Sequence, residues 1–445
     1  MRLTWIAAPV VGLAACLGAL AWSAPEDRDR GDVYRQLELF ADVLARVEND
    51  YVTDIDETAA MEAAIQGMLT SLDPHSSYMN ATEYRDMQVQ TRGEYGGLGL
   101  EVTLDDGVVR VVSPIDGTPA ARAGVQAGDY LTAIDGESIV GLTLNDAVGR
   151  MRGQAGSAIT VTVAREGTDP FDVELTREII NVRSVTARVE GGDVGIIRIS
   201  TFNERTSSML DEGIAQIRRE AGARLRGVII DLRNNPGGLL DQAIEVSDAF
   251  LDGGEVVSTR GRQPQDVQRY NARRGEEMAG VPIIVLINGA SASAAEIVAG
   301  ALQDRNRALI VGTDSFGKGS VQTVIPLQGG RDGALRLTTA RYYTPAGRSI
   351  QGAGITPDME VASRRVDPAR LQRLGLSEAD LPNALNNENG AERRALHVPD
   401  DQPPENWNAD DDYQLQRAEE FLRQGLVAER LRARDGVNVA GARPG

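Results

Sequence analysis

The chain has 445 residues, 42% of them hydrophobic and 25% charged, and a net charge of −19. That length suits two or three domains, and the acidity repels phosphate, so no nucleic-acid partner is expected. Two histidines and one cysteine cannot form a Cys/His metal cluster or an internal disulfide, and only one of the 46 basic residues, Lys318, is a lysine.

Residues 3–24 carry no charge and are long enough to span a bilayer. Three fates are open: an uncleaved anchor, lipidation of Cys16 within Leu13-Ala14-Ala15-Cys16, or cleavage elsewhere. The apolar run continues past Cys16, which favours the anchor. Each fate exports the body of the protein, and residues 1–30 are read as a signal or anchor.

Residues 31–92 read as a helical segment. Leu37, Phe40, Leu44 and Val47 have helical spacing over 33–50. Further helices are expected at 58–71 and 82–90, on either side of the turn-like run Leu72-Asp73-Pro74-His75-Ser76-Ser77. From 93 to 180 short apolar strands alternate with Gly and Asp turns, as in Val108 to Val112 and Ile159 to Val163, giving a mostly-β module. From 181 to 365 the pattern predicts an α/β core. Strands are expected at 194–200, 227–231, 281–287 and 308–311, with helices at 205–220, 239–251 and 293–303. Two more strands, 320–327 and 335–343, flank the turn at 329–333. Residues 366–445 read as an acidic extension with a last helix at 412–432, solvated and loosely docked.

Arginine, with a pKa of about 12.5 or more, stays charged in any site, whereas a buried lysine can move from about 10.4 towards neutrality. A solitary lysine therefore suggests proton transfer, with codon bias as the bland alternative. Gly312-Thr-Asp-Ser-Phe-Gly-Lys318-Gly-Ser320 fits two chemistries. A phosphate loop is disfavoured, because Gly319 stands where a Mg²⁺-binding hydroxyl is needed and a strand pattern follows instead of a helix. A Ser/Lys hydrolase needs a serine at a strand-to-helix junction, backbone N–H groups facing an oxyanion, and a desolvated lysine. Asn288-Gly-Ala-Ser291-Ala-Ser293-Ala-Ala-Glu296 supplies such a junction, although both serines also suit plain helix caps. Asn234-Asn-Pro-Gly-Gly238 offers backbone amides at a strand end, or is a simple turn.

Asp231 to Gly238, Ser291 to Glu296 and Phe316-Gly-Lys-Gly-Ser-Val-Gln322 together resemble the C-terminal processing peptidases, also called tail-specific proteases. Asp73-Pro-His-Ser76 fits the same family, and the likeness spans roughly residues 35–360. It departs at Ala290, where the family usually has Gly, and at Ala295, where it often has Ser. Both replacements are small. The resemblance implies a crotonase/ClpP-like α/β protease core, with Ser293 as nucleophile, Lys318 as general base and Gln322 as its orienting partner. The amides of Gly238 and Ala294 would form the oxyanion hole, with no metal and no cofactor. At neutral pH an ordinary lysine is neutral about once in 10³ molecules, so a pKa near 7 means disfavouring the ammonium by about 4–5 kcal/mol.

Gly96-Gly-Leu-Gly-Leu100, Gly117 to Asp129 and Ile134-Asp-Gly136 resemble a PDZ domain of the bacterial protease type. That implies an inserted reader of C-terminal carboxylates, with Gly97, Leu98, Gly99 and Leu100 as the binding loop. A bulge formed by these glycines is the bland alternative. The expected function is an exported serine endopeptidase that reads the C-terminal tails of proteins and cleaves through an acyl-enzyme. The competing class is a silent PDZ tail-binding scaffold. Expected partners are protein substrates with apolar or unfolded tails, an activating adaptor, a second copy of the chain, and the membrane through the N-terminal anchor. The expected location is the periplasmic side of a bacterial inner membrane.

Overall fold

The computed structural model describes residues 30–365, 377–391, 393–395, 397–408 and 410–441. The apolar stretch 3–24 and Cys16 lie outside them. No helix of the described residues is long and apolar enough to cross a membrane. The chain divides into two units, one ending at Ala64 and one starting at Ile65. The first contains the helix Arg30–Asp50 and the start of Glu57–Thr70. The predicted stripe forms on the first helix, but Leu37, Phe40 and Val47 remain exposed.

The second unit is built on a six-stranded sheet in the order 185–190, 194–199, 227–231, 283–287, 309–312, 359–360. The first pair is antiparallel and the rest are parallel. The central strands Gly227–Asp231 and Ile283–Ile287 are buried throughout, as expected of a parallel sheet covered on both faces. Alternate residues serve different cores. Val228, Ile230, Val285 and Ile287 pack with the helices Thr206–Ala221, Leu240–Asp248 and Ala294–Asp304.

Ile229, Ile284, Leu286 and Val311 face the other way, into a cluster completed by Ala418, Phe421, Leu422 and Val427. The expectation of a loosely docked tail is therefore overturned. The helices Tyr413–Arg423 and Leu426–Gly441 are structural, because the second face of an apolar sheet must be shielded from water. The single helix expected over 412–432 is interrupted at Gln424 and Gly425.

A second sheet pairs the strand Ala334–Tyr343 with Ser77–Met79, Ser320–Pro326 and Gly254–Gly261, and the last of these with Val267–Ala272. The mostly-β module has its own sheet, in the order 100–105, 108–114, 130–134, 158–164, 171–176. Its core holds Val109, Val111, Leu131, Ile159, Val161 and Val163. The antiparallel pair Glu94–Gly97 and Glu178–Asn181 closes the module where the chain enters and leaves it. Because 227–231, 283–287 and 309–312 run parallel, the loops after them gather at one end of the sheet, where ligands of open α/β sheets bind.

Candidate active site

Ser293 sits between a buried strand and the helix Ala294–Asp304 with φ 55° and ψ −113°. A residue other than glycine held there costs of order 1–3 kcal/mol, strain that concentrates at functional sites. Its side chain is nearly buried, at 8% exposure. Ser293 and Glu296 form a capping box, with the Ser293 side chain facing the Glu296 N–H and the Glu296 carboxylate taking the Ser293 N–H, while the Ser293 hydroxyl donates to no described residue. Ser291 is different: its hydroxyl donates to Leu232 O at 2.8 Å and accepts Asn288 N–H at 2.9 Å. Ser291 fixes the turn, and the Ser293 hydroxyl proton has no acceptor among the described residues.

The loop after strand 227–231 is stitched to this turn. Asn234 N–H donates to Asn288 Oδ1 at 3.0 Å, and Asn288 Nδ2 returns a bond to Asn234 Oδ1 at 2.9 Å. Buried Asn235 donates from Nδ2 to Ile199 O, accepts Gly237 N–H on Oδ1, and accepts Ala292 N–H on its carbonyl. Arg233 anchors the base of the loop, pairing with Asp231 at 2.8 Å and Asp412 at 2.7 Å. Those carboxylates, working against burial, hold its guanidinium above the ordinary arginine range. Gly237 has φ +101°, and a Cβ there would lie 2.9 Å from Ser293 Cβ and 3.0 Å from Ala294 N. Only glycine lets this backbone approach so closely. The amides of Gly238 and Ala294 donate to no described residue. Two N–H groups with no acceptor among the described residues thus belong to the residues next to Gly237 and Ser293, where the two loops meet.

Glu296 joins the serine turn to the lysine loop. Its Oε2 accepts Ser293 N–H at 2.8 Å and Lys318 N–H at 2.9 Å. Its Oε1 accepts Gly317 N–H at 2.7 Å and the Ser315 hydroxyl at 2.5 Å. Burial pushes this carboxyl up to about 7, against the pull of those four hydrogen bonds. Lys318 itself is partly buried, and its Nζ makes no ion pair with a described residue. Burial lowers its pKa below the ordinary lysine value; the charge of Arg336 acts in the same sense, and those of Glu378, Glu296 and Asp73 oppose it.

Gln322 is on the strand Ser320–Pro326, but its Nε2 donates to the hydroxyls of Ser320 and Thr338 at 3.0 and 3.2 Å, not to Lys318. Its Oε1 receives no donor from the described residues. The Thr338 hydroxyl in turn donates to Asp73 Oδ1 at 3.0 Å, and Asp73 also accepts Ser76 Oγ–H at 2.6 Å. The Asp73-Pro-His-Ser turn therefore props up the strand Ala334–Tyr343, on which Thr338 stands opposite Gln322. The same turn presents His75, whose Nε2 donates to Glu378 at 2.8 Å. In the sequence, Asp73, Asn235, Asn288 and Glu296 stood out only as members of motifs, without a role, and Glu378 did not stand out at all. Asn235 and Asn288 carried a signal as small polar side chains close to the turn glycines; Asp73, Glu296 and Glu378 carried none of that kind.

In the β module, the strand Leu100–Asp105 is a sheet edge, open to pairing by an added strand. Beside it is a cavity of about 120 Å³ lined by Gly97, Leu98, Gly99, Leu100, Val102, Val148, Met151, Tyr95 and Arg152. The amides of Leu98 and Gly99 donate to no described residue. Arg152, which sequence reasoning missed, stacks over the Tyr95 ring at 4.9 Å, and its buried Nε has no hydrogen-bond partner among the described residues. The pocket thus joins an apolar floor to a loop whose Leu98 and Gly99 amides have no acceptor among the described residues, and to a guanidinium that makes no ion pair with a described residue.

Comparison with known proteins agrees with this architecture. The model of peptidase family S41 matches residues 193–361 and a PDZ domain model matches residues 110–165, which defines a PDZ-bearing peptidase. A third model, described as the activating protease CtpB N-terminal domain, matches residues 21–83. The chain is 51% identical over 414 residues to a carboxy-terminal-processing protease of Bartonella bacilliformis, across 92% of this chain and 94% of that relative. It is 36% identical to a probable CtpA-like serine protease of Staphylococcus aureus, across 71% of this chain and 62% of that one. Among solved structures it is similar to a photosystem II D1 C-terminal processing protease, at 29% identity and a TM-score of 0.44, over 78% of this chain and 99% of that one. The chain belongs to the carboxy-terminal-processing proteases of family S41.

Proposed function

We propose that this protease cleaves through a Ser293–Lys318 dyad and chooses substrates by their C-terminal tails. The observation that carries the reading is Glu296, one buried carboxylate oxygen of which gathers the amides of Ser293 and Lys318. Neutral Lys318 takes the proton of the Ser293 hydroxyl as Oγ bonds to the scissile carbonyl carbon. The oxyanion is met by the N–H groups of Gly238 and Ala294. The C–N bond then breaks, Lys318 returns its proton to the leaving amine, and an acyl-enzyme remains. Water loses a proton to Lys318 as it attacks the ester, and Ser293 recovers that proton. Gln322 Oε1 is the acceptor that orients the amine without adding charge.

In the same reading, the tail carboxylate lies on the amides of the Gly97 to Leu100 loop with Arg152 beside it. An apolar last side chain fills the cavity over Val102, Val148 and Met151. The uncharged stretch 3–24 supports an exported body held on the periplasmic side of a bacterial inner membrane, by an anchor or by lipid on Cys16. The exposed stripe on Arg30–Asp50 supports self-association or an activating adaptor.

The test is degradation of an unfolded protein with an apolar C-terminus by wild type, Lys318→Arg and Ser293→Ala. Both variants are expected to lose about 10²–10⁴-fold or more in kcat with unchanged unfolding curves. Peptidase activity retained by Lys318→Arg refutes the dyad. If wild type and Ser293→Ala both bind the tail and neither cuts it, the chain is a scaffold.

A further inference from the structure

The segment beyond residue 376 carries Glu378, which is fully buried. Its place in the one-turn helix Glu378–Asp380 is set by Ser377, whose amide and hydroxyl both donate to Asp380 Oδ2, at 2.8 and 2.6 Å. Glu378 grips the lysine loop from two sides. Its own N–H donates to Phe316 O at 3.0 Å, two residues before Lys318. Its Oε1 accepts Gln351 Nε2 at 2.9 Å, and Gln351 Oε1 accepts Gly319 N–H at 3.1 Å, one residue after Lys318. Gln351 is itself fully buried. Gly319 fits under it only because it has no side chain: a Cβ there would lie 2.3 Å from Gln351 N. His75 Nε2 closes the arrangement, at 3.0 and 2.8 Å from the two Glu378 oxygens.

We infer that Glu378 is a positioning residue for Lys318, and that the segment bearing it completes the catalytic loop. This rests on the reading of Lys318 as the base. The clamp reaches the backbone on both sides of Lys318 while the carboxylate charge goes to His75 and Gln351. Nζ is thus held in place without being locked into an ion pair. The charges facing Lys318 come from four elements: Glu378, Glu296 of the helix after Ser293, Asp73 of the 73–76 turn, and Arg336 of the strand Ala334–Tyr343. Of these, Glu378 is the strongest influence favouring the ammonium.

The test uses the full chain and a fluorogenic peptide, with kcat and KM measured from about pH 6 to pH 10. Lys318 must be neutral to act, so kcat rises with pH through its ionisation. Glu378→Gln keeps the shape and one acceptor but removes the charge. Its kcat plateau is expected within about fivefold of wild type, with the acidic limb moved to lower pH by at least about half a unit. Glu378→Ala also loses the side-chain arm of the clamp, through Gln351 and His75, while keeping the N–H bond to Phe316 O, and its kcat is expected to fall at least about tenfold with KM within about twofold. A residue serving only the fold would lower the plateau and leave the limb where it was. An unmoved or upward-moved limb in Glu378→Gln overturns the inference, even if Glu378→Ala fails to fold. Lys318→Arg and Ser293→Ala run beside them separate the two readings. If those are inactive and the limb is unmoved, only the role of Glu378 falls; if they are active, the dyad falls with it.

Discussion

Replacing Glu296 by Gln changes one buried oxygen to an NH₂ group in a site where four donors converge. If the NH₂ replaces Oε2, it meets the N–H groups of Ser293 and Lys318, and both are orphaned. If it replaces Oε1, it meets Gly317 N–H and the Ser315 hydroxyl. The hydroxyl can turn and accept, so one backbone donor is lost and the second arrangement wins. An orphaned buried donor costs about 1–3 kcal/mol, and the remaining bonds lose the strength that charge gave them. The expected destabilisation is about 2–4 kcal/mol, a large share of the ~5–15 kcal/mol typical of a folded domain. Ser293 and Lys318 still share one oxygen, so the site keeps its outline. Urea unfolding can be followed by Trp407, which packs edge-on to Tyr413 with ring centroids 4.9 Å apart. The rate of Ser293 labelling by a fluorophosphonate reports the site and is expected to fall about tenfold or more. A Glu296→Gln protein within about 0.5 kcal/mol of wild type, labelled at the wild-type rate, refutes the bridging argument. Glu296→Ala orphans all four donors at once and is expected to fail to fold.

Gly237→Ala puts a Cβ 2.8 Å from Ala292 O and 2.9 Å from Ser293 Cβ at φ +101°. It should cost about 10²–10³ in kcat by displacing an oxyanion donor, with little change in KM. Arg152→Gln is expected to weaken binding of a peptide with a free C-terminus by about tenfold or more, since a hydrogen bond to a charged group contributes about 1.5–3 kcal/mol. The same peptide amidated at its C-terminus should bind wild type and variant equally, as isothermal titration would show. Phe421→Ala empties a fully covered site in the second core and should destabilise by about 3–5 kcal/mol in urea unfolding. A cost below 1 kcal/mol would mean that the C-terminal helix is dispensable.

The alternation from residue 194 onward made the parallel sheet readable, because covered strands are apolar at every position and their helices have clear periodicity. The hairpin 254–272 was not read. Its first strand buries the contiguous run Val256 to Thr259 and its second, Val267–Ala272, is mostly exposed, so neither shows an alternating apolar period. The tail was misjudged for a related reason. Composition averaged over 366–445 is acidic, and it hid Ala418, Phe421 and Leu422 at helical spacing. At the site, the glycines and the lone lysine advertised themselves, because their backbone and proton chemistry have few substitutes. The groups that hold them did not. Asn235, Glu296, Gln351 and Glu378 act through partners distant in sequence, and no local spacing encodes a hydrogen bond between residues 75 and 378.

These carboxylates pose a problem for the base. Every negative charge near Lys318 favours the ammonium, and Glu378, Glu296 and Asp73 all do so. They are tolerable because their charge is spent elsewhere. Glu296 faces three backbone N–H groups and a hydroxyl, Asp73 faces the N–H groups of His75 and Ser76 and two hydroxyls, and Glu378 faces His75 and Gln351. Dipoles wrapped around a carboxylate reduce the field it projects, so burial retains the upper hand at Nζ. The same dipoles belong to the loops that carry the nucleophile and the base. Holding the loops still and screening the base from negative charge are therefore one set of hydrogen bonds. An arginine at position 318 could be held equally well by them and would still never release its proton.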